Sequence, residues 1–229
     1  DFLKFFQNSL SYITPPNEKY TCYNPGQKIG IVSLYTSNIS SYAIESENSI
    51  KQYAFKQGYT FYVYRDNFDK SFHPNWSKPK VILNHIDDHE SIIWMDSDTI
   101  VFNPKKKFET IISKCVPSKK IIACQDIGRG SLINSGVLIF KSHQYSKNIL
   151  KHWLNYECDK SSLYSDGGDQ EILCKILKKI DGFNFNTKIF PMSEFNTDPR
   201  FVNDDTFILH FMAYKDTLKS VFMRYWGSL

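Results

Sequence analysis

The feature that most constrains the fold is the run Ile92-Ile93-Trp94-Met95, which breaks directly into Asp96-Ser97-Asp98. Four consecutive large apolar residues bounded by polar ones read as a short strand buried on both faces, the habit of parallel rather than half-solvated sheets. Such a strand delivers two carboxylates, one residue apart, to its C-terminal edge, where open α/β sheets collect ligands. Two oxygen ligands there suit a hard divalent cation such as Mg or Mn. A cation so placed can hold a diphosphate and neutralise it as a leaving group. The same residues also suit a plain turn, in which Asp is common.

Other segments alternate in the same manner. Residues 29–34 and 60–64 are continuous apolar strand candidates, with a helix through Ile50, Tyr53 and Ala54 between them that Gly58 can stop. A helix over 78–88 leads into the strand at 92–95. Further on, the spacing predicts a helix at 106–115, strands at 121–124 and 136–140, and an amphipathic helix at 143–158 through Tyr145, Ile149, Trp153 and Leu154. Asp169 can cap a helix whose apolar face is Ile172, Leu173, Ile176, Leu177 and Ile180. A strand at 206–210 and a helix at 213–223 close the pattern. Strands alternating with helices imply an α/β chain with a Rossmann-like, mostly parallel sheet flanked by helices.

At 229 residues the chain fits a single domain. Residues 1–27 read as an N-terminal arm, and the rest divides into 29–125, a nucleotide-binding half, and 126–229. The net charge of +4, from 28 basic and 24 acidic residues, is too mild for a nucleic-acid partner. No apolar stretch reaches the ~18 residues of a membrane span, and no signal peptide is visible. The chain begins at Asp1. A trimmed anchor would imply a Golgi-type lumen, and otherwise a cytoplasmic setting is expected. Five scattered cysteines without a C-x-x-C pair argue against structural zinc.

Several other residues carry possible chemistry. His210 ends the apolar run Phe207-Ile208-Leu209, where a neutral imidazole can join two carboxylates as a third ligand. Lys215, five residues on, can meet a diphosphate as charge builds or be an ordinary surface lysine. Asn134-Ser135-Gly136 opens a strand, and its glycine allows a ligand close to the backbone or simply a turn. Gly167-Gly168-Asp169-Gln170 precedes a helix, so exposed N–H groups, a carboxylate and an amide can converge there. Trp76 with Lys78 can stack on and charge-match a nucleotide sugar or pack on the surface.

In this order, the blocks Trp76-Ser77-Lys78, Ile93–Asp98, Asn134–Ile139, Asp169-Gln170 and His210-Phe211 with Lys215 resemble retaining glycosyltransferases of the A-type fold. The pattern is most similar to glycosyltransferase family 34, the galactosyl, mannosyl and xylosyl transferases, with the glycogenin-like family 8 as a near relative. The resemblance spans about residues 29–219 and implies an Mn-dependent enzyme, with Mg as the substitute ion. It implies a nucleoside-diphosphate sugar as donor, UDP-sugar favoured, and a hydroxyl of a glycan or glycoprotein as acceptor. Asp96, Asp98 and His210 would bind the metal. Ser33, Leu34, Tyr35 and Thr36 would contact base and ribose, with Asp96 and Ser97 beside them. Lys215 would meet the diphosphate, Asn134 and Ser135 would line the sugar pocket, and Lys78 would touch the donor. Asp169 and Gln170 would flank the sugar as catalytic residues.

The chain departs from the family in three places. Met212-Ala213-Tyr214 replaces the Gly-Cys after His-Phe, Gly168 stands where an acidic residue is usual, and Asn75 replaces an aromatic residue. Two other readings of the acidic motif stand beside this one. A haloacid-dehalogenase-like phosphatase would use the first Asp as nucleophile, although Ile100 holds the place where that family expects Thr or Val. A binding module could hold a sugar nucleotide without turnover.

Overall fold

The structure, a computed structural model, describes residues 16–127, 131–181 and 185–227. The two predicted strands β2 (Ile29–Leu34) and β3 (Thr60–Tyr64) form at the expected bounds and pair in parallel, as do β2 and β4 (Ser91–Met95). Between β2 and β3 runs α1 (Ser40–Gln57), stopped by Gly58 in the left-handed region at φ 71°. Segment 16–27 of the expected arm contributes an unforeseen edge strand, β1 (Tyr20–Tyr23), antiparallel to β3. Residues 1–15 of that arm lie outside the described residues.

The remaining strands are β5 (Thr99–Val101), β6 (Ile121–Cys124), β7 (Asn134–Lys141), β8 (Thr187–Phe190) and β9 (Ile208–His210). Seven strands make one sheet in the order β1-β3-β2-β4-β7-β6-β8, while β5 and β9 form a separate antiparallel pair. The sheet is more mixed than the expectation of a mostly parallel one. β7 runs antiparallel to both β4 and β6, and β8 is parallel to β6. The hydrophobic pattern cannot reveal this, because a strand buried on both faces is apolar throughout whichever way its neighbours run.

Helices α2 (Lys78–His85), α3 (Phe108–Ser113), α4 (Gln144–Leu154), α5 (Gly168–Asp181) and α6 (Asp216–Gly227) complete the layers. The alternate residues of the central strands divide between two cores. Ile93, Met95, Val137 and Ile139 face α1, α3 and the β5–β9 pair, packing with Tyr53, Phe108 and Phe207. Trp94, Leu138 and Phe140 face the other way, toward Val81 and Ile82 of α2, Trp153 of α4 and Leu173 of α5. Among the described residues no helix is long and apolar enough to cross a membrane.

This topology brings together one sheet edge. The C-terminal ends of β2, β4, β6 and β8 all point there, and so does the N-terminal end of the reversed β7. Helices α2 and α5 each lead back to a strand of that sheet, so their N-terminal residues lie at the same edge. The blocks up to Asp169-Gln170 therefore reach one side of the sheet.

Candidate functional site

Asp96 and Asp98 leave β4 in a tight turn, in which Asp96 O accepts from Thr99 N at 3.2 Å and from Thr99 Oγ1 at 2.7 Å. The turn and ligand meanings of the motif thus coexist. Past the turn, β5 pairs with β9 so that Thr99 lies opposite His210, and Phe211 N donates to Asp98 O at 2.9 Å. The small sheet is what carries a histidine from far along the chain to the acidic turn. Asp96, Asp98 and His210 each offer a ligand atom within 4.8 Å of the others. His210 Nε2 lies 3.1 Å from Asp98 Oδ1 and 3.9 Å from Asp96 Oδ2.

The imidazole is held in one tautomer by a chain of amides. Gly136 N donates to Asn134 Oδ1 at 2.9 Å, which fixes the orientation of the Asn134 amide. Asn196 must then present Nδ2 to the same oxygen, at 2.8 Å, and its own Oδ1 to His210 Nδ1, at 3.0 Å. Nδ1 therefore carries a hydrogen, and Nε2 is the nitrogen that faces the carboxylates. A lone pair held 3.1 Å from a carboxylate oxygen calls for a positive charge between them, either a proton or a metal ion. Around an octahedral ion with bonds of about 2.1 Å, adjacent ligands stand about 3 Å apart and opposite ones about 4.2 Å. The two imidazole–carboxylate distances fall in that range, so the residues fit a hard divalent cation bound by two oxygens and one nitrogen.

Gly136 has a role the sequence did not specify. The close neighbour is not a ligand but the His210 ring, whose Cε1 would stand 2.0 Å from a Cβ added at this position. Gly136→Ala must therefore push the imidazole away from the acidic turn. Overpacking of this kind costs about 1–3 kcal/mol. The expected result is a lower midpoint in chemical denaturation, and an alanine variant that matches the parent would contradict this packing.

Lys78, the first residue of α2, is buried beneath the turn. Its Nζ lies 3.0 Å from Asp96 Oδ1 and 3.0 Å from Asp169 Oδ2, donates to Ser135 Oγ at 3.2 Å, and sits over the Trp94 ring at 5.7 Å. Trp94 Nε1 also donates to Asp96 Oδ1, at 2.7 Å. Burial alone would lower the lysine's pKa, but Asp169 and Asp96 outweigh it and hold the ammonium charged. The two acids of the motif are tuned apart. Burial pushes Asp96 up, with Lys78 only partly opposing it. Asp98 is held below the usual carboxylate range because His210 and Lys219 overcome its burial.

Asp169 was expected to cap a helix. Instead it is the second residue of α5, and its carboxylate is turned toward Lys78 and Ser135. Gly168, at φ 82°, makes that entry; a Cβ there would stand 2.6 Å from Leu163 O. Gln170 Oε1 accepts from Ser135 N at 2.9 Å, which leaves its Nε2 to donate to Asp126 Oδ2 at 3.2 Å. Asp126 Oδ1 accepts from Asn134 Nδ2 at 3.0 Å. This carboxylate, at the exit of β6, thus closes the network from the far side.

Other expected residues are placed differently. Ser33, Leu34 and Tyr35 are buried, and the Tyr35 hydroxyl donates to Glu47 Oε2 at 2.7 Å. Glu47 is in turn held by Arg65 Nη2 at 2.5 Å. The Leu34 and Tyr35 side chains pack in the two cores, so their backbone, with Ser33 and Thr36, is left to meet a nucleoside. Trp76 is buried in the second core with Nε1 donating to Ser162 O at 3.3 Å, so it packs rather than offering a stacking face. Lys215 is exposed just before α6, and the ammonium that reaches the acidic turn is that of Lys219, 2.7 Å from Asp98 Oδ2. Ser97 lies half-buried in the turn.

Four contributors were missed: Trp94 as a donor to Asp96, Asp126, Asn196 and Lys219. Asp126 carried a usable signal, an acid at the exit of an apolar strand, the same signal as Asp96. Asn196 and Lys219 carried none, since each acts through a contact distant in sequence.

Residues 30–127 match the model of the galactosyl transferase GMA12/MNN10 family. That stretch includes Lys78 and the Asp96-Ser97-Asp98 turn but not His210 or Gln170. A glycosyltransferase involved in glycosylation of the major capsid of PBCV-1 is similar over 86% of this chain and 98% of its own, at 18% identity and a TM-score of 0.71. The galactosyltransferase LgtC, solved with donor and acceptor sugar analogues, is similar over 87% of this chain and 95% of its own, at 12% identity and TM-score 0.55. The glycosyltransferase GlyE of Streptococcus pneumoniae is similar over 89% of this chain and 61% of its own, at 14% identity and TM-score 0.54. No curated protein sequence matches the chain. The fold is that of the A-type glycosyltransferases. The resemblance to family 34 holds over the stretch that carries the acidic turn.

Proposed function

We propose that the chain is an Mn-dependent retaining glycosyltransferase. It moves a hexose or pentose from a nucleoside-diphosphate sugar, UDP-sugar favoured, to a hydroxyl on a glycan or glycoprotein. The observation that carries this reading is the convergence of Asp96, Asp98 and a tautomer-fixed His210 at the ligand-binding edge of the sheet. A divalent cation bound there supplies Lewis-acid neutralisation of the departing diphosphate.

The protein's own groups shape the rest of the site. Lys78 holds Asp96, Asp169 and Ser135 together on one ammonium, and Asn134 and Gln170 are joined beside them through Asp126. Asp169 is locked in its ion pair, and the Gln170 amide is engaged at both ends. Neither is free to attack an anomeric carbon, which favours front-side attack by the acceptor within an ion pair over a covalent intermediate. The phosphatase reading loses support because the similar solved folds are glycosyltransferases.

The test is a thermal-shift screen of sugar nucleotides with and without Mn, followed by product analysis. A ligand at 100 times its Kd stabilises by about 2.7 kcal/mol, and at this chain length that is roughly 5–10 °C. One nucleotide sugar should give that shift only with Mn, and proton NMR of the glycoside formed from it should show the anomeric configuration of the donor. A product of opposite configuration would refute retention. The absence of any shift across uridine and guanosine donors would refute the donor class.

A further inference from the structure

Three carboxylates and two ammonium groups crowd the acidic turn, and the two lysines are held differently. Lys78 is clamped between Asp96 and Asp169 with its side chain 3% exposed. Lys219 reaches in from the first turn of α6, is 11% exposed, and grips a single carboxylate, Asp98 Oδ2, at 2.7 Å. Its Nζ lies 5.0 Å above the Tyr42 ring, a second resting place for the cation at the same spot. Asp98 Oδ1 is meanwhile taken by His210. Both oxygens of one expected metal ligand are thus already occupied, one of them by a positive charge from the protein itself.

We propose that Lys219 is a built-in competitor for the cation site, which the donor's diphosphate removes. Accepting the reading of the cation site given above, a divalent ion that takes Asp98 must displace the ammonium or bind beside it against like-charge repulsion. A diphosphate arriving with the ion gives the released ammonium a new anion within the reach of its flexible stem. The ion and the nucleotide therefore bind with positive coupling, and the coupling is reciprocal by linkage. The free protein holds Mn weakly, and the nucleotide makes the same site tight. The rest of α6 stays in place, because Arg224 Nε bonds Glu45 Oε1 at 2.9 Å and Met223 is buried.

The experiment measures Mn affinity by electron paramagnetic resonance of free Mn, with and without UDP, for the parent, Lys219→Met, Lys219→Arg and Lys215→Met. Methionine keeps an unbranched side chain without the charge, and a melting curve reports whether each variant is folded. In the parent, UDP should tighten Mn binding by about tenfold or more, a coupling of about 1.4 kcal/mol. Lys219→Met should bind Mn several-fold more tightly without UDP and lose most of the UDP-induced gain. Lys219→Arg, which keeps the charge and the carboxylate contact, should behave like the parent. Unchanged Mn affinity in a folded Lys219→Met variant overturns the proposal, and so does an equal gain in Lys215→Met, which would trace the effect to general charge. A parent that binds no Mn, with or without UDP, would instead sink the reading of the cation site itself.

Discussion

Lys78→Met should lower the stability of the protein by about 3–5 kcal/mol, the range seen when one partner of a buried ion pair is removed. The cause lies in the two acids that share the ammonium. Asp169 is 5% exposed, and its only cation among the described ion pairs is Lys78. Asp96, already pushed up by burial, loses its main opposing charge. Methionine fills the volume but leaves both carboxylates unpaired, so one or both must take up a proton. For a chain of this length the loss corresponds to a melting point roughly 10 °C lower. Urea denaturation at neutral pH checks the figure. Part of the loss should be recovered by Lys78→Met/Asp169→Leu, which removes the stranded acid as well. A single variant within about 0.5 kcal/mol of the parent would show that the lysine is not the shared counter-ion.

On the proposed reading, Asp98→Asn should abolish Mn binding in the presence of UDP and cut transfer by about a thousandfold. Loss of a mere supporting contact to a ligand costs 10–100-fold, and here a charged ligand is itself replaced by a neutral amide. The variant should also change the acid response. In the parent, His210 and Lys219 hold the Asp98 pKa below its unfolded value, against the pull of burial. A depressed carboxylate contributes stability above its unfolded pKa of about 4 and loses it as the pH falls toward the folded value. Asp98→Asn removes that term, so its stability should fall less steeply between about pH 4 and pH 2. Parallel acid-unfolding curves for the two proteins would contradict the assignment. Retained Mn binding would contradict the ligand role.

Much of this arrangement was legible in the chain because strands buried on both faces are written as unbroken apolar runs. The bounds of β2, β3 and β6 follow directly from them, and so does the delivery of Asp96 to the sheet edge. The sense of β7 was not legible, because its apolar residues would suit either direction. Yet that reversal is what places Asn134-Ser135-Gly136 at the site rather than at the far edge. Asp96, Asp98 and His210 could be named because each ends or follows an apolar run. Asn196 could not, since its role depends on an amide chain joining residues 134, 196 and 210. The place of Lys219 depends on how α6 packs on α1, which no local pattern encodes. For Trp76 stacking and packing were both open, and Tyr35 was expected near the nucleoside only through the resemblance; here their polar atoms bond to Ser162 and Glu47.

The most direct test of the central claim is anomalous diffraction from crystals grown with MnCl2 and UDP. The account predicts one strong Mn peak bonded to side-chain oxygens of Asp96 and Asp98 and to Nε2 of His210, with the diphosphate on the open side of the ion. A fully occupied nucleotide with its Mn bound elsewhere, or with no Mn between these three side chains, would contradict it.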